Sequence, residues 1–139
     1  MIVLDTNVLS ELMRPSPDAQ VKDWLGAQPQ AALFTTTVSR SEMLYGVHVL
    51  PEGVRKARLL QEVLAVFSVD MAGRVLSFDS DAADAYAEIA AARRANGKPI
   101  SQFDAMIAGI VRSRGAELAT RNVRDFEGCG IVVIDPWHS

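Results

Sequence analysis

The sequence predicts a single α/β domain built on a central parallel sheet. Short apolar, β-branched runs alternate with longer segments of helical periodicity, which is the pattern of strands joined by crossover helices. The chain has 139 residues and is 49% hydrophobic and 22% charged, so it can form one real core and is too apolar for wholesale disorder. We therefore predict one domain over residues 1–139, with four to five parallel strands in a three-layer α/β/α arrangement.

The first quarter of the chain predicts two strands and two helices. Residues 2–4 are an apolar run, and the D-T-N run at 5–7 consists of N-cap residue types, so we predict a buried strand followed by a helix over 8–13. A second helix is predicted over 18–27, and prolines follow both helices. Residues 32–36 are apolar and β-branched, which predicts the second strand.

The middle of the chain predicts two helices and a third strand. Residues 39–50 and 54–67 carry apolar residues at helical spacing, and a P-E-G turn at 51–53 separates them. Residues 75–78 (VLSF) are predicted to form the third strand.

The last third predicts two helices and two strands. Helices are predicted over 81–96 and 101–114, and the glycine that follows each of them can close a helix. Residues 117–120 and 131–134 are short apolar runs, which predict the last two strands.

Polar side chains follow several of these elements. In open parallel sheets, sites collect at the carboxyl ends of the strands. Asp5 ends the first strand, and Glu42 and Asp104 are predicted in the first turns of helices, whereas Asn122 and Asp125 follow the strand at 117–120. Hard divalent cations prefer oxygen ligands, and clustered acids repel one another unless such cations bind. The pattern therefore indicates a metal site.

Helix capping explains the same residues without any chemistry. Asp5 is a suitable N-cap, residues 39–42 fit the S-x-x-E capping box, residues 101–104 fit its Asp version, and Asp125 suits a turn. Capping does not explain why these helix starts should meet at one place. Because convergence is a property of the tertiary structure, spacing alone leaves both interpretations open.

Charge and composition narrow the class of protein. The net charge of −3, from 14 basic and 17 acidic residues, argues against a simple basic nucleic-acid binder. It does not argue against a nuclease, because bound cations make an acidic pocket locally positive. A single cysteine indicates a reducing compartment, and no apolar run is long enough to span a bilayer, so we expect a cytoplasmic protein without a membrane segment.

Five stretches in order resemble a known family across essentially the whole chain: residues 1–11 (MIVLDTNVLSE), 37–46 (TVSRSEMLYG), 103–108 (FDAMIA), 119–126 (ATRNVRDF) and 130–137 (GIVVIDPW). They are similar to PIN-domain proteins, specifically the VapC/FitB-like toxins of bacterial type II toxin–antitoxin pairs. The resemblance implies a PIN fold and a metal-dependent endoribonuclease that hydrolyses RNA phosphodiester bonds with a metal-activated water.

The resemblance also implies roles for the acids. Asp5, Glu42 and Asp104 match the three acids that such enzymes use for Mg²⁺ or Mn²⁺, with Asp5 and Asp104 as direct ligands and Glu42 as ligand or general base. Many PIN domains have Asp where Asn122 stands, so either Asp125 takes the fourth role through water or the second metal site is weak.

Substrate contacts are expected from polar residues beside these acids. Thr6 and Asn7 are expected to orient Asp5 or the scissile phosphate, Thr120 to bind through its hydroxyl, and Arg121 and Asn122 to contact the RNA. Four arginines near the proposed edge are candidates for phosphate contacts, or are simply solvated charges: Arg14, Arg40, Arg121 and Arg124.

The expected partners of the protein are implied by the family resemblance alone. Such toxins are typically held by a small VapB-like antitoxin, often dimerise, and bind promoter DNA only through the antitoxin complex. The RNA target, the antitoxin and the number of metal ions stay open. The alternatives are a non-catalytic PIN-like or receiver-like module acting through protein partners, and an aspartyl phosphohydrolase, which would want Asp where Asn7 stands.

Overall fold

A computed structural model describes residues 1–138, and Ser139 lies outside the described residues. Residues 1–138 form five strands: β1 (Ile2–Leu4), β2 (Leu33–Thr36), β3 (Val75–Leu76), β4 (Glu117–Ala119) and β5 (Val132–Ile134). They also form six α-helices: α1 (Thr6–Leu12), α2 (Ala19–Gly26), α3 (Thr37–His48), α4 (Val54–Ala65), α5 (Ser80–Ala95) and α6 (Gln102–Ser113). No helix within residues 1–138 is long and apolar enough to cross a membrane.

The five strands make one parallel sheet in the order β3-β2-β1-β4-β5. β1 lies at the centre, which fits an apolar run whose Val3 and Leu4 are almost fully buried. The chain builds the sheet outwards from β1 in one direction through β2 and β3, and then returns to add β4 and β5 on the other side. The point between β1 and β4 where the direction reverses is where open α/β sheets place their sites.

Helices cover both faces of the sheet, so the predicted three-layer arrangement is confirmed. Val3 and Leu118 face a core that α5 and α6 complete, whereas Leu4 and Ala119 face a second core formed largely by α1, α2, α3 and α4. The alternation arises because successive side chains of a strand point to opposite faces.

Helices α5 and α6 approach each other closely at Gly109. A Cβ built on Gly109 would lie 2.7 Å from the carbonyl oxygen of Ala82, which is backbone and cannot rotate away. Glycine at this position therefore sets the distance between the two helices.

Several element boundaries differ from the sequence predictions. Helix α1 begins at Thr6, because Asp5 caps it directly. The predicted third strand is reduced to Val75–Leu76, and the predicted helix over 54–67 ends at Ala65 and continues as a π-helical turn, Val66–Asp70.

The predicted capping box at residues 39–42 is wrong. The hydroxyl of Thr36 accepts the backbone N–H of Ser39 at 3.0 Å, so Thr36 is the N-cap and α3 starts at Thr37. Glu42 consequently lies in the second turn of α3, not the first. The cap at Ser101 is confirmed, since its hydroxyl accepts the N–H of Asp104 at 3.2 Å.

Candidate functional site

A pocket of about 500 Å³ opens at the carboxyl end of β1. The predicted site residues in its wall are Asp5, Thr6, Asn7, Glu42, Asp104, Arg121 and Asn122. They come from four segments: the start of α1, the middle of α3, the first turn of α6 and the loop after β4. The structure thus brings together residues that helix capping alone would leave unrelated.

Asp5 is the most enclosed of these acids, with only 5% of its surface exposed. Its Oδ1 accepts the backbone N–H of Thr6 at 2.8 Å, and its Oδ2 accepts the hydroxyl of Thr120 at 2.8 Å. The backbone N–H of Asp5 donates to the carbonyl of Ala119 at 3.0 Å, which continues the pairing of β1 with β4. Asp5 is therefore both a helix cap and a carboxylate fixed at the floor of the pocket.

Thr120 joins the two chain segments that meet at Asp5. Its hydroxyl donates to Asp5 and accepts from Nδ2 of Asn7 and from the backbone N–H of Asn122, both at 3.1 Å. Oδ1 of Asn7 accepts the backbone N–H of Arg121 at 3.2 Å. Asn7 and Thr120 therefore orient Asp5 and hold the loop that carries Arg121 and Asn122.

The hydroxyl of Thr6 orients Glu42. It lies 3.0 Å from Oε1 of Glu42 and 3.0 Å from Oγ of Ser39. A threonine hydroxyl has one proton and a carboxylate has none to give, so Thr6 donates to Glu42 and accepts from Ser39. The sequence interpretation assigned Thr6 to Asp5 or to the phosphate, but its side chain bonds Glu42, and only its backbone N–H reaches Asp5.

Burial and the charges of neighbouring acids raise the pKa values of Asp5, Glu42 and Asp104 in the pocket. Burial, opposed by hydrogen bonds from Thr120 and Thr6, raises the pKa of Asp5 to about 6, and the charges of Asp104 and Glu42 add to the rise. Burial likewise raises the pKa of Glu42, with a further contribution from Asp104. Burial also raises the pKa of Asp104. Each carboxylate is thus costly to ionise in the absence of a cation.

Asp125 lies outside the pocket. Its side chain is exposed, and it acts on the site through its negative charge, which helps to raise the pKa of Asp104. Its backbone is held by the buried guanidinium of Arg93, which donates to the carbonyl of Asp125 at 2.8 Å and to those of Glu127 at 3.0 Å and Lys98 at 2.7 Å. Asn122 lines the pocket instead, so the fourth position in its wall is neutral.

The pocket also contains residues that were not assigned to it from the sequence: Ser10, Glu11 and Trp137. Glu11 is paired with Arg14 three residues later in the chain, a spacing typical of exposed helix pairs, so nothing in the sequence indicates that Glu11 is buried. Trp137 packs into the core, and the guanidinium carbon of Arg121 lies 5.1 Å from the centre of its ring. Of the four candidate arginines, Arg14 and Arg121 line the pocket, and Arg40 and Arg124 do not.

The donor chemistry of the pocket fits an open magnesium site. Among residues 1–138, no three His, Cys, Asp or Glu side chains are grouped closely enough to hold one ion between them. Mg²⁺ in proteins usually binds one or two carboxylates and keeps several waters. Asp5, Glu42 and Asp104, with raised pKa values in a solvent-accessible pocket, suit an ion of that kind and not a closed all-protein cage.

The fold and the pocket together define a class of protein. It is a three-layer α/β domain whose acids gather at the carboxyl end of the central strand β1, beside β4. A model of the PIN domain matches residues 2–128. The chain belongs to the PIN domain family, so the resemblance found in the sequence is confirmed.

Named relatives cover nearly the whole chain. It is 40% identical to the VapC ribonuclease Y4jK of Sinorhizobium fredii, with 99% of this chain and 98% of the relative aligned. It is 35% identical to the Toxin FitB of Neisseria gonorrhoeae, with 99% of each chain aligned. The crystal structure of FitAcB from the same organism superposes with a TM-score of 0.92 at 33% identity, over 100% of both chains.

Proposed function

We propose that the protein is a metal-dependent endoribonuclease that acts as the toxin of a type II toxin–antitoxin pair. The observation that carries the proposal is a single pocket in which Asp5, Glu42 and Asp104 all have raised pKa values. Carboxylates gathered at such a cost are typical of active sites. Relatives named a ribonuclease and a toxin support the substrate and the biological class.

Asp5 and Asp104 would hold Mg²⁺, or Mn²⁺ in its place, and Glu42 would be the general base or would bind the ion through a coordinated water. Such an ion, when bound, lowers the pKa of a coordinated water and neutralises charge that develops on the phosphate. Asp5 is suited to this role because hydrogen bonds from Thr6 and Thr120 fix its orientation, and its Oδ1, which accepts one hydrogen bond, keeps a further lone pair. Asp125 would act through a bound water, because it stands outside the pocket.

Glu42 would take a proton from the attacking water. The Thr6 hydroxyl bonds Oε1 of Glu42, which leaves Oε2 free to accept that proton. Burial raises the pKa of Glu42 towards neutrality, which makes it a stronger base than an exposed glutamate. Arg121 and Asn122 would contact the RNA backbone at the mouth of the pocket.

The test is cleavage of a mixed-sequence RNA pool by the purified protein in Mg²⁺, in Mn²⁺ and in EDTA. We expect metal-dependent cutting that falls by at least about 100-fold in Asp5→Asn and Asp104→Asn. Asp84→Asn is the matched control, because Asp84 is exposed on α5 and outside the pocket. An Asp5 or Asp104 variant that cut at the wild-type rate would refute the assignment. A folded wild-type protein that cut nothing would favour the non-catalytic, partner-binding alternative.

The proposed partners are a VapB-like antitoxin and a second copy of the chain, with promoter DNA bound only through the antitoxin complex. The relative named Toxin FitB and the likeness to the FitAcB structure support a toxin that works with a partner protein. Co-expression with candidate small proteins, followed by light scattering of the purified complex, tests the partner and the oligomeric state together. This part of the proposal would be contradicted if the protein were a monomer, bound none of the candidate proteins and kept its full RNA cleavage in their presence.

A further inference from the structure

Glu11 and Arg14 form an ion pair in the pocket wall that the proposed chemistry does not use. Nη1 of Arg14 donates to both carboxylate oxygens of Glu11, at 3.1 and 3.0 Å, and the backbone N–H of Asp18 donates to Oε2 at 3.1 Å. Glu11 is only 6% exposed, whereas the side chain of Arg14 is 63% exposed. The charge of Glu11 is thus satisfied within the protein, and its function here is to hold Arg14.

Only one nitrogen of the Arg14 guanidinium is used in this pair. Within residues 1–138, Nε and Nη2 of Arg14 have no hydrogen-bond partner, so three N–H donors remain available beside the pocket. A planar guanidinium held at one nitrogen presents Nε and its other terminal nitrogen side by side, a geometry that suits phosphate oxygens. An arginine needed only to neutralise Glu11 would not have to face the acidic pocket.

Arg14 is one of two arginines in a pocket wall that also contains four acids. Because the chain has a net charge of −3, an RNA backbone that reaches this pocket depends on such individual cations for its phosphate contacts. A bound cation would offset the acids near Asp5, but Asp5 caps the start of α1 and Arg14 follows its end, so a helix about 10 Å long separates their backbones. Arg14 is therefore placed for a phosphate other than the one held at Asp5.

We propose that Arg14, held by Glu11, binds a backbone phosphate of single-stranded RNA beside the scissile phosphate. The proposal rests on the ribonuclease function proposed above and adds a binding subsite to it. Arg14 also lines a neighbouring groove between α1, α3 and α4, where a carboxylate of a protein partner would be the competing ligand. We favour the phosphate over the carboxylate, because the unused N–H donors of Arg14 lie beside the pocket in which the RNA is proposed to be cut.

The experiment measures binding and cleavage of one probe, a fluorescein-labelled mixed-sequence RNA of about a dozen nucleotides. Binding is followed by anisotropy in Ca²⁺, a hard cation used here in place of Mg²⁺, between 0.05 and 0.3 M salt; cleavage is followed in Mg²⁺. The variants are Arg14→Met, which removes the charge and keeps an aliphatic stem, and Arg14→Lys, which keeps the charge. Arg94→Met is the control, because Arg94 is exposed on α5 and outside the pocket.

Loss of one phosphate contact to a single strand lowers the slope of log K against log salt by about 0.7. Taking wild type and Arg14→Met to have equal affinity at 1 M salt, this difference in slope predicts that the variant binds about eightfold more weakly at 0.05 M salt and about fourfold more weakly at 0.15 M. Arg14→Lys should keep most of the slope, and Arg94→Met all of it. The ratio of the Lys to the Met variant stays informative even if both melt at a lower temperature than the wild type.

The phosphate-binding role of Arg14 and the ribonuclease function can be refuted separately. Wild-type protein that binds and cuts the RNA, with Arg14→Met matching it in affinity and salt slope, overturns this inference and leaves the ribonuclease proposal standing. That outcome would reassign Arg14 to a protein contact in the neighbouring groove. Wild-type protein that neither binds nor cuts RNA overturns both proposals.

Discussion

Replacing Asp5 with Asn should stabilise the metal-free protein at neutral pH. Burial raises the pKa of Asp5 from 3.8 to about 6 on folding, so between these values the native state binds more protons than the unfolded state. The free energy of unfolding therefore falls as pH rises through this window, and the full penalty is present above pH 6. A shift of this size corresponds to about 3 kcal/mol at 1.36 kcal/mol per pKa unit.

The side chain of the asparagine variant cannot ionise, and it keeps an oxygen that can accept the N–H of Thr6. It should therefore be more stable than wild type at pH 7 by up to about 3 kcal/mol, and the difference should vanish near pH 4. Part of the gain will be lost where the new amide meets the hydroxyl of Thr120, which donates to Asp5 in the native protein.

Urea unfolding in EDTA, at half-unit steps from pH 4.5 to 7.5, measures the effect, with Asp84→Asn as an exposed control. In Mg²⁺ at 1,000 times its Kd the order should reverse, because the ion then stabilises the native wild type by about 4.1 kcal/mol, which exceeds the variant's gain, and the variant binds it weakly. An Asp5→Asn protein less stable than wild type at pH 7 in EDTA, or with the same pH dependence, would refute the claim that burial makes this carboxylate costly.

Three further substitutions test other parts of the structure. Thr120→Val removes a hydrogen bond that lowers the pKa of Asp5, so the acid limb of the cleavage–pH profile should move to higher pH; an unmoved limb would contradict the role of this hydroxyl. Arg93→Met leaves three backbone carbonyls without their donor and should lower the free energy of unfolding by about 3 kcal/mol, measured by urea denaturation. Gly109→Ala forces a methyl group against the carbonyl of Ala82 and should cost about 1–3 kcal/mol, seen as a lower Tm; an unchanged Tm would show that α5 and α6 can separate freely.

Periodicity and residue type were sufficient to predict the order of elements and the parallel sheet, because apolar runs and helical spacing are local properties. Boundaries were less accurate where two capping residues compete. Thr36 and Ser39 are both good caps, and only the course of β2 decides that Thr36 caps α3. The π-helical turn at Val66–Asp70 gave no local signal, since its residues continue the apolar pattern of α4.

The acids of the candidate site were predicted as individual residues, but their hydrogen bonds were not. That Thr6 bonds Glu42 depends on how α1 packs against α3, which links residues 36 positions apart. The burial of Glu11 and the exposure of Asp125 are likewise products of tertiary packing. Spacing along the chain carries no information about either.

The position of β1 at the centre of the sheet has a consequence for the order of folding. β1 can pair with β2 once about thirty further residues have left the ribosome, but its other edge finds β4 only after residue 117. Until then Asp5 lacks the hydroxyl of Thr120, and the loop bearing Arg121 and Asn122 has no anchor on Asn7. A nascent chain that lacks β4 therefore has an incomplete pocket. The proposed nuclease would become active only after β4 and β5 have been synthesised and have added to the sheet, so a partner that recognises the finished pocket need not act on a shorter nascent chain.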